Sequence, residues 1–318
     1  MQIIPGIHRY ESHLGKKIMA HHLITYSRSL LIDAGTPELV RDDLIPWLAK
    51  VLGDPERLDM ILITHGDVDH YGGLAALREA CPRAVLLVPV RDRRWMEVEG
   101  SIFAERYNAY NAYGVGYTAE LIGVLKEWGG SCLPVDIGLA GGEDIRLGPD
   151  LLVRVLHVPG HTPGHLMLWE PRTRVAIIGD ALNGATQIDC DGAWTAPPPY
   201  TDREQYLTTI QMVRALEPVV LLTGHYPVMR GHDIDAFIDA STNFVLRTDA
   251  ALDSLFDEAP GPITLAELIE RANPVLGPFG FALDLQYALA AHLAWMECAR
   301  AVRRVARDGI AAWERVTG

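Results

Sequence analysis

The chain has 318 residues, of which 49% are hydrophobic and 22% are charged, a balance typical of a globular protein with about two domains. The 28 basic and 41 acidic side chains leave a net charge of −13, which argues against a nucleic-acid or anionic-membrane surface over the whole chain. We find no run of about 18 apolar residues and no basic start followed by an apolar stretch, so we expect neither a membrane span nor a secretory signal.

The cysteines stand far apart and form no CxxC pair, which disfavours a thiolate metal site and a redox dithiol. They are Cys81, Cys132, Cys190 and Cys298. Their spacing favours buried free thiols in a reducing compartment, and we therefore predict a cytoplasmic protein.

The first third of the chain alternates between strand and helix patterns. Residues 21–35 indicate two short strands around a Ser-Arg-Ser turn, followed by a helix from about Pro37 to Leu52. A short apolar strand at 60–64, a helix at 72–80 and a buried strand at 84–90 come next. This order predicts an α/β fold in which helices cover a sheet.

Residues 91–130 interrupt this order with aromatic side chains. Tyr107, Tyr110, Tyr113 and Tyr117 are spaced three, three and four residues apart, which would put them on one face of a helix. We expect the segment to pack this aromatic stripe on the core. A lid over a substrate pocket and a dimer face are the alternatives.

The middle of the chain returns to strands, and the last part is mostly helical. Strands are predicted at 151–158, 165–169, 174–179 and 219–223, with a long loop at 181–201 and a helix from Arg203 to Leu216. Helical patterns dominate from about Ile234.

Histidine and aspartate side chains follow the predicted strands where each strand ends. The strand at 60–64 leads directly into His65-Gly66-Asp67-Val68-Asp69-His70, and later strands lead into His161, Asp180 and His225. The carboxyl ends of strands in α/β proteins are where sites are built, so we expect these side chains to converge. Imidazole and carboxylate are ligands of zinc, iron and manganese. The seven groups suffice for two divalent ions that share one carboxylate, and we predict two zinc ions, with iron or manganese as alternatives.

These residues resemble the motifs of the metallo-β-lactamase superfamily, in its glyoxalase II-like branch. The matching segments are LIDAG (31–35), THGDVDHYGG (64–73), VPGHTPGH (158–165), IIGDAL (177–182) and TGHYP (223–227). The resemblance implies an αββα sandwich with the metal ions at the edge between two sheets. It also implies a first ion on His65, Asp67 and His161, a second on Asp69, His70 and His225, and Asp180 as the bridge.

Asp67 departs from the family, which usually has histidine at this position. An oxygen ligand would favour iron or manganese relative to an all-imidazole set, and diiron flavoproteins of the superfamily carry a carboxylate there. We expect Asp67 to coordinate. The alternative is that it points away and leaves the first site weak or empty.

Several further residues are assigned supporting roles. We expect Asp33 to fix a ligand imidazole by a hydrogen bond, and His165 resembles a histidine of the family that lies behind the ligands or beside the substrate. Asp69 is predicted to orient the attacking hydroxide or carry its proton. Tyr226 is predicted to donate to the oxyanion, with simple packing as the alternative.

The last part of the chain is similar to a winged helix. Three helical patterns and two short strands around Asp308-Gly309 support this, and we divide the chain into a catalytic domain at 1–232 and a helical, winged-helix-like domain at 233–318. Residues 262–318 carry no net charge, so nucleic-acid binding is disfavoured. We expect this domain to shape the pocket or a homodimer interface.

Together these features predict a binuclear metal-dependent hydrolase. Its metal-bound hydroxide would attack an ester, thioester or lactone carbonyl of a small molecule that carries an apolar part. A phosphodiesterase or nuclease, a β-lactamase and a diiron redox enzyme are the alternatives. No membrane partner is expected.

Overall fold

The computed structural model describes residues 1–316 and contains two sheets that face each other. The first sheet has seven strands that are hydrogen-bonded in chain order: β1 (Gln2–Ile4), β2 (Ile7–Leu14), β3 (Lys17–Thr25), β4 (Ser29–Ile32), β5 (Met60–Leu62), β6 (Val85–Pro89) and β7 (Ile137–Leu139). Strands β1 to β4 are antiparallel, and β4 to β7 are parallel. Parallel pairing places the ends of β5 and β6 at one edge of the sheet.

The second sheet has six strands: β8 (Asp144–Arg146), β9 (Leu152–His157), β10 (Leu166–Glu170), β11 (Val175–Ile177), β14 (Val220–Leu222) and β15 (Met229–Arg230). Its strand order is β15-β14-β11-β10-β9-β8, and only β11 and β14 are parallel within it. The long loop after β11 contains a small hairpin of β12 (Gln187–Ile188) and β13 (Trp194–Ala196).

Helices cover both outer faces of this sandwich. They are α1 (Pro37–Leu39), α2 (Ile45–Leu52), α3 (Val68–Tyr71), α4 (Leu74–Ala80), α5 (Arg93–Glu97), α6 (Ala119–Gly129), α7 (Arg203–Ala215), α8 (His232–Glu258), α9 (Leu265–Leu276) and α10 (Leu285–Cys298). A π-helical turn at Val40–Leu44 joins α1 to α2, so the predicted helix from Pro37 to Leu52 is confirmed as one helical run.

The strands alternate their side chains between an inner and an outer core. Leu30 and Ile32 of β4 pack between the sheets, whereas Leu31 packs against the helices α1 to α6. Leu168 of β10 likewise points inward, and Met167 points to α7 and the C-terminal helices. Because both faces are buried, these strands are continuously apolar in the sequence, and the layers form the predicted αββα sandwich.

The C-terminal region packs three helices against a small antiparallel sheet. The sheet consists of β16 (Ile263–Thr264), β17 (Val302–Arg307) and β18 (Ile310–Arg315), and β18 lies in the middle. A capping box starts α9, because Thr264 Oγ1 accepts from the Glu267 N–H and Glu267 Oε2 accepts from the Thr264 N–H. This region shares a continuous apolar core with the second sheet. The winged-helix assignment and the boundary at residue 232 stay predictions.

The aromatic segment is not the single helix that its spacing suggested. The segment forms a π-helical turn at Phe103–Tyr107 and a short 3-10 turn at Asn111–Tyr113. Gly114 ends the second turn in a left-handed conformation with φ 74°, and residues 115–118 before α6 have no regular structure. Tyr107 and Tyr117 line a cavity, whereas Tyr110 and Tyr113 pack on the C-terminal region.

The cysteines of the described chain form no disulfide, but their predicted burial is wrong in part. Cys81 is buried and Cys132 is partly buried. Cys190 and Cys298 are exposed because they lie in the β12–β13 hairpin loop and at the end of α10. Within residues 1–316, no helix combines the length and the apolar character needed to cross a membrane.

Candidate metal centre

The predicted ligands lie together at one edge of the sandwich. His65, Asp67, Asp69 and His70 lie in the turn after β5 and at the start of α3, and the other three follow β9, β11 and β14: they are His161, Asp180 and His225. Gly224 makes room for this arrangement, because a Cβ there would lie 2.5 Å from Asp180 Oδ1 and 2.8 Å from His70 Cε1. Glycine is therefore required where the backbone passes the site.

Six of the side chains form two groups whose donor atoms lie within 4.8 Å of one another. One group is His65, His161 and Asp180, and the other is Asp69, His70 and His225. Asp180 connects the two, because its Oδ2 also lies 2.9 Å from His225 Nε2 and 3.6 Å from His70 Nε2. This position fits the bridging role expected for Asp180, and the bridge itself stays a prediction.

Each of the four imidazoles is held through its Nδ1 atom. The acceptors are Thr64 Oγ1 for His65 (3.0 Å), Asp33 Oδ2 for His70 (2.9 Å), the Pro199 carbonyl for His161 (2.8 Å) and the Ile18 carbonyl for His225 (2.8 Å). Because Nδ1 carries the donated hydrogen, Nε2 presents a lone pair in each imidazole when the ring is neutral. All four lone pairs point into the site.

The donor set fits two divalent cations. The Nε2 atoms of His70 and His225 face each other at 3.2 Å. Burial lowers the pKa of His70, but the charges of Asp180, Asp33 and Asp69 outweigh this and raise it, so the pair holds either a proton or a metal cation between its two nitrogens. His65 Nε2 and Asp180 Oδ1 are buried without a hydrogen-bond partner. Buried polar atoms are rarely left unpaired, so both atoms are available as ligands.

Asp67 faces the first group but is paired with a buried arginine. Its Oδ2 lies 2.9 Å from His161 Nε2 and 3.6 Å from His65 Nε2. Arg106 donates to both carboxylate oxygens through Nε and Nη2, and its Nη1 donates to the His161 carbonyl at 3.1 Å. Burial raises the pKa of Asp67, but the charge of Arg106 together with the neighbouring His161 and His65 outweighs this and holds the pKa well below its usual range. The carboxylate is thus ionised, and its coordination stays a prediction.

Asp69 is paired with a lysine from the first sheet. Lys17 Nζ donates to Asp69 Oδ2 at 2.7 Å, and this oxygen lies 3.6 Å from His225 Nε2. Burial lowers the pKa of Lys17, but the charges of Asp69 and Asp180 outweigh this effect and raise it overall. Lys17 is therefore a protonated donor at the edge of the second group.

Asp33 and His165 support the ligands from behind. Asp33 has a positive φ of 63°, which turns its carboxylate to accept from the Thr64 N–H at 2.7 Å and from His70. His165 stacks on the His65 ring with centroids 4.6 Å apart, and its Nε2 accepts from the Asp180 N–H at 3.1 Å. His165 therefore lies behind the ligands, and it is not among the residues that line the cavity beside them.

Tyr226 does not fit its predicted catalytic role. Its hydroxyl lies 2.7 Å from the Asn183 carbonyl and 2.8 Å from the Thr186 carbonyl, and its side chain is buried. The single hydroxyl hydrogen is used by these two acceptors, so it is not available to an oxyanion. Tyr226 therefore holds the loop after Asp180, and the prediction of an oxyanion donor is wrong.

Three supporting residues were not found from the sequence: Lys17, Arg106 and Asp92. Asp92 accepts from the Gly66 N–H at 3.0 Å, the Gly164 N–H at 2.7 Å and the Thr162 hydroxyl at 2.6 Å, and so joins the two loops that carry His65 and His161. No motif marks these residues. The only signal for Asp92 was its position just after β6, because the other strand ends also carry acids or histidines.

A cavity of about 260 Å³ opens onto Asp67, Asp69, His161 and Asp180. Its remaining wall is mainly apolar and combines the aromatic segment, α6 and the C-terminal region, through Tyr117, Leu121, Leu125, Trp128, Phe281 and Tyr287. Cavities with apolar walls and a few convergent polar groups are typical small-molecule sites. The expectation that the C-terminal region helps to shape the pocket agrees with this lining.

Comparison with known proteins supports the same assignment. Residues 24–225 match the family model of the metallo-beta-lactamase superfamily. A hydroxyacylglutathione hydrolase from Anaeromyxobacter dehalogenans is 29% identical over 223 residues, which cover 70% of this chain and 64% of that protein.

Two solved structures match nearly the whole chain. A metallo-beta-lactamase family protein from Thermus thermophilus superposes with a TM-score of 0.74 at 21% identity, covering 99% of this chain and 100% of that one. A beta-lactamase domain protein from Burkholderia ambifaria superposes with a TM-score of 0.72 at 20% identity, covering 99% and 94%. These two likenesses show the fold. With the family match and the convergent ligands, they lead to one conclusion: the chain belongs to the metallo-beta-lactamase superfamily and is a hydrolase of that superfamily.

Proposed function

We propose that this protein is a binuclear metal-dependent hydrolase that cleaves an ester, thioester or lactone of a small molecule with an apolar part. The observation that carries the proposal is the convergence of four imidazole Nε2 atoms and Asp180 at the end of a cavity with an apolar wall. Two divalent ions bound by these ligands would polarise a carbonyl oxygen and lower the pKa of water.

The chain's own residues supply the remaining functions. Hydrolysis forms a bond between the water oxygen and the carbonyl carbon, and it breaks the bond from that carbon to the leaving oxygen or sulfur. Asp69 is ionised and lines the cavity, so it would accept the water proton and pass it to the leaving group. Lys17 bonds only Asp69 among the described residues and has further hydrogens, so it replaces Tyr226 as the candidate donor to the oxyanion.

The cavity supports a small and partly apolar substrate. Leu121, Leu125 and Trp128 form a hydrophobic surface that would take up the apolar part of an acyl or leaving group. The relative from Anaeromyxobacter dehalogenans is named for hydrolysis of hydroxyacylglutathione, which is a thioester. This supports carbonyl substrates over phosphodiesters.

The C-terminal surface does not favour nucleic acid. Arg303, Arg304 and Arg307 pair with Glu314, Glu297 and Glu267, respectively. Their charges are neutralised locally, so they do not add up to a surface for a phosphate backbone. A small-molecule substrate, a cytoplasmic location and a homodimer remain our expectations for partners and place.

The test is a substrate panel on the purified protein loaded with zinc, manganese or iron. The panel contains aryl esters, acyl thioesters and lactones, together with nitrocefin and bis-p-nitrophenyl phosphate. We expect hydrolysis of a carbonyl substrate that a chelator abolishes and that Asp180→Asn lowers by at least about 100-fold. His232→Ala, which changes an exposed histidine outside the site, should leave turnover unchanged.

Other outcomes would contradict the proposal. Cleavage of nitrocefin or of the phosphodiester alone would assign a different reaction to the same site. Turnover that survives chelation, or that Asp180→Asn does not change, would show that the ligand groups do not carry the activity.

A further inference from the structure

A carboxylate outside the ligand groups lies in the wall of the same cavity. Asp284 occupies the position before the first residue of α10, but its side chain accepts no hydrogen bond from the helix N–H groups. Instead, Asp284 Oδ1 accepts from the Tyr117 hydroxyl at 2.5 Å. Within residues 1–316, no lysine, arginine or histidine forms an ion pair with it. The carboxylate is therefore turned from its helix toward the cavity.

The Asp284 carboxylate accepts few hydrogen bonds from the protein. An ionised carboxylate can accept about four hydrogen bonds, and Asp284 has one from the described protein. Burial raises the pKa of Asp284 to about 6, although the hydrogen bond from Tyr117 and the nearby charges of Lys17 and Arg106 lower it, so the group is still mainly ionised at neutral pH. Asp284 is half-buried, and neither Lys17 nor Arg106 pairs with it directly, so a cation in contact with this carboxylate would be a favourable neighbour.

The other charged groups of the cavity are already paired or belong to the ligand groups. Lys17 is bound to Asp69, and Arg106 is bound to Asp67. The Arg106 guanidinium lies 5.2 Å from the centre of the Tyr287 ring, between Asp67 and that ring. Among the carboxylates that line the described cavity, Asp284 is thus the one that neither forms an ion pair nor belongs to the ligand groups.

Aromatic side chains line the cavity beside this carboxylate. Tyr117 stacks on Phe281 with ring centroids 6.0 Å apart, and the Tyr287 hydroxyl lies 3.1 Å from that of Tyr117. Phe281 is 38% exposed, so its ring lies at the rim of the cavity and is partly open to solvent. Aromatic faces next to a carboxylate are the chemistry that recognises alkylammonium groups, because both the ring quadrupole and the anion attract a desolvated cation.

We propose that the substrate of this hydrolase carries an alkylammonium group, which binds to Asp284 beside Tyr117 and Phe281. The inference deepens the proposed function, because the same cavity leads from Asp284 to the metal ligands. Asp284 is then a specificity-determining residue, and the scissile carbonyl and the ammonium group belong to one small molecule.

The test compares cations with neutral molecules of the same shape. Calorimetric titration of the metal-loaded protein would use choline against 3,3-dimethylbutan-1-ol, and butylammonium against butan-1-ol. We expect at least one cation to bind at least about tenfold more tightly than its neutral counterpart. Asp284→Asn should remove this preference, whereas Asp308→Asn, which changes an exposed aspartate in the β17–β18 turn, should keep it.

The same comparison of a cation with its neutral counterpart can be made for turnover. Acetylcholine and 3,3-dimethylbutyl acetate have matched shapes, and the ratio of their kcat/KM values should favour the cation in the wild type and fall toward one in Asp284→Asn. Equal binding of both members in both pairs would overturn the inference. An equal loss of turnover on both esters in Asp284→Asn, with cation binding unchanged, would also overturn it.

These readouts separate the two proposals. Cation binding that depends on Asp284 without hydrolysis of any carbonyl substrate would keep the cation site and reject the proposed reaction. Metal-dependent hydrolysis of neutral esters without any preference for cations would keep the reaction and reject the role of Asp284.

Discussion

The ion pair between Asp67 and Arg106 makes a specific prediction about how this chain replaces the histidine that its superfamily usually has. The side chains are 13% and 3% exposed, and two hydrogen bonds join them. A neutral imidazole and a carboxylate with a bound guanidinium both contribute no net charge beside the first ligand group. We therefore expect Asp67→His alone to lower the free energy of unfolding and the metal content. Adding Arg106→Met to Asp67→His should restore both, because the histidine then stands without an unpaired guanidinium beside it.

The magnitude follows from the burial of the pair. Two unit charges about 4 Å apart interact by about 4 kcal/mol at an effective dielectric constant of about 20. Removal of one partner of a buried pair costs about 3–5 kcal/mol, because the other charge stays buried without compensation. Each single variant should lose about this much free energy of unfolding. The double variant should recover at least about 2 kcal/mol relative to the sum of the single losses.

The assay is urea unfolding of the chelator-treated proteins, followed by counting of metal ions per chain after reloading. Asp67→His should hold fewer ions than the double variant, because an unpaired guanidinium then lies beside His161. Arg94→Met is the matched control, since Arg94 pairs with Glu105 at the surface with 62% of its side chain exposed. This control should change stability by less than about 0.5 kcal/mol.

One result would refute this reasoning. If the two single losses add up in the double variant to within about 0.5 kcal/mol, and metal content is the same in all three, the pair is not a unit. Arg106 would then act through the His161 carbonyl or through packing on Tyr287, and Asp67 would not depend on it.

Three further predictions concern groups around the site and in the C-terminal region. Tyr226→Phe should lower the free energy of unfolding by about 1–3 kcal/mol, because two buried carbonyls lose their donor, and should leave kcat nearly unchanged; a large loss of kcat at unchanged stability would restore a catalytic role. Asp92→Asn should weaken metal retention during dialysis, because an amide cannot accept from all three donors that join the ligand loops; metal content equal to that of the wild type would contradict this. The hydrogen bond from Arg307, joined by that from the Thr264 N–H, lowers the pKa of Glu267 to about 2 from a reference value of 4.5. Its contribution to stability is therefore fully present above about pH 4.5 and is lost as the pH falls through about 2, so the melting temperatures of the wild type and Glu267→Gln should differ most at about pH 6, differ less at about pH 3 and converge only at about pH 2 or below. A difference that stays constant over this range would exclude the ion pair as its cause.

The elements and the ligand positions could be predicted because their signals are local. The apolar run before His65 and the glycine before His225 are each visible within a few residues. Strand ends in an α/β sandwich meet at one edge, so residues that follow strands are brought together by the topology itself. The tyrosine spacing wrongly predicted a single helix in the aromatic segment, because Gly114 ends the helical turn.

Only the tertiary structure decided which side chains pair with the site residues. Asp67 and Arg106 are 39 residues apart, Lys17 and Asp69 are 52 apart, and Tyr117 and Asp284 are 167 apart. No sequence period links such positions, because each contact depends on how separate loops and helices pack. The direction of the Tyr226 hydroxyl is likewise set by two carbonyls of the loop after Asp180.

The sequence by itself therefore determined the layered fold and the residues that can hold two metal ions, because both follow from local hydrophobic patterns and from the chemistry of strand ends. The tertiary structure decided which of those ligands is charge-compensated, which hydroxyl is already occupied, and that Asp284 faces the cavity. These are properties of pairs of distant side chains, and their energies depend on a burial that exists only after the layers have packed.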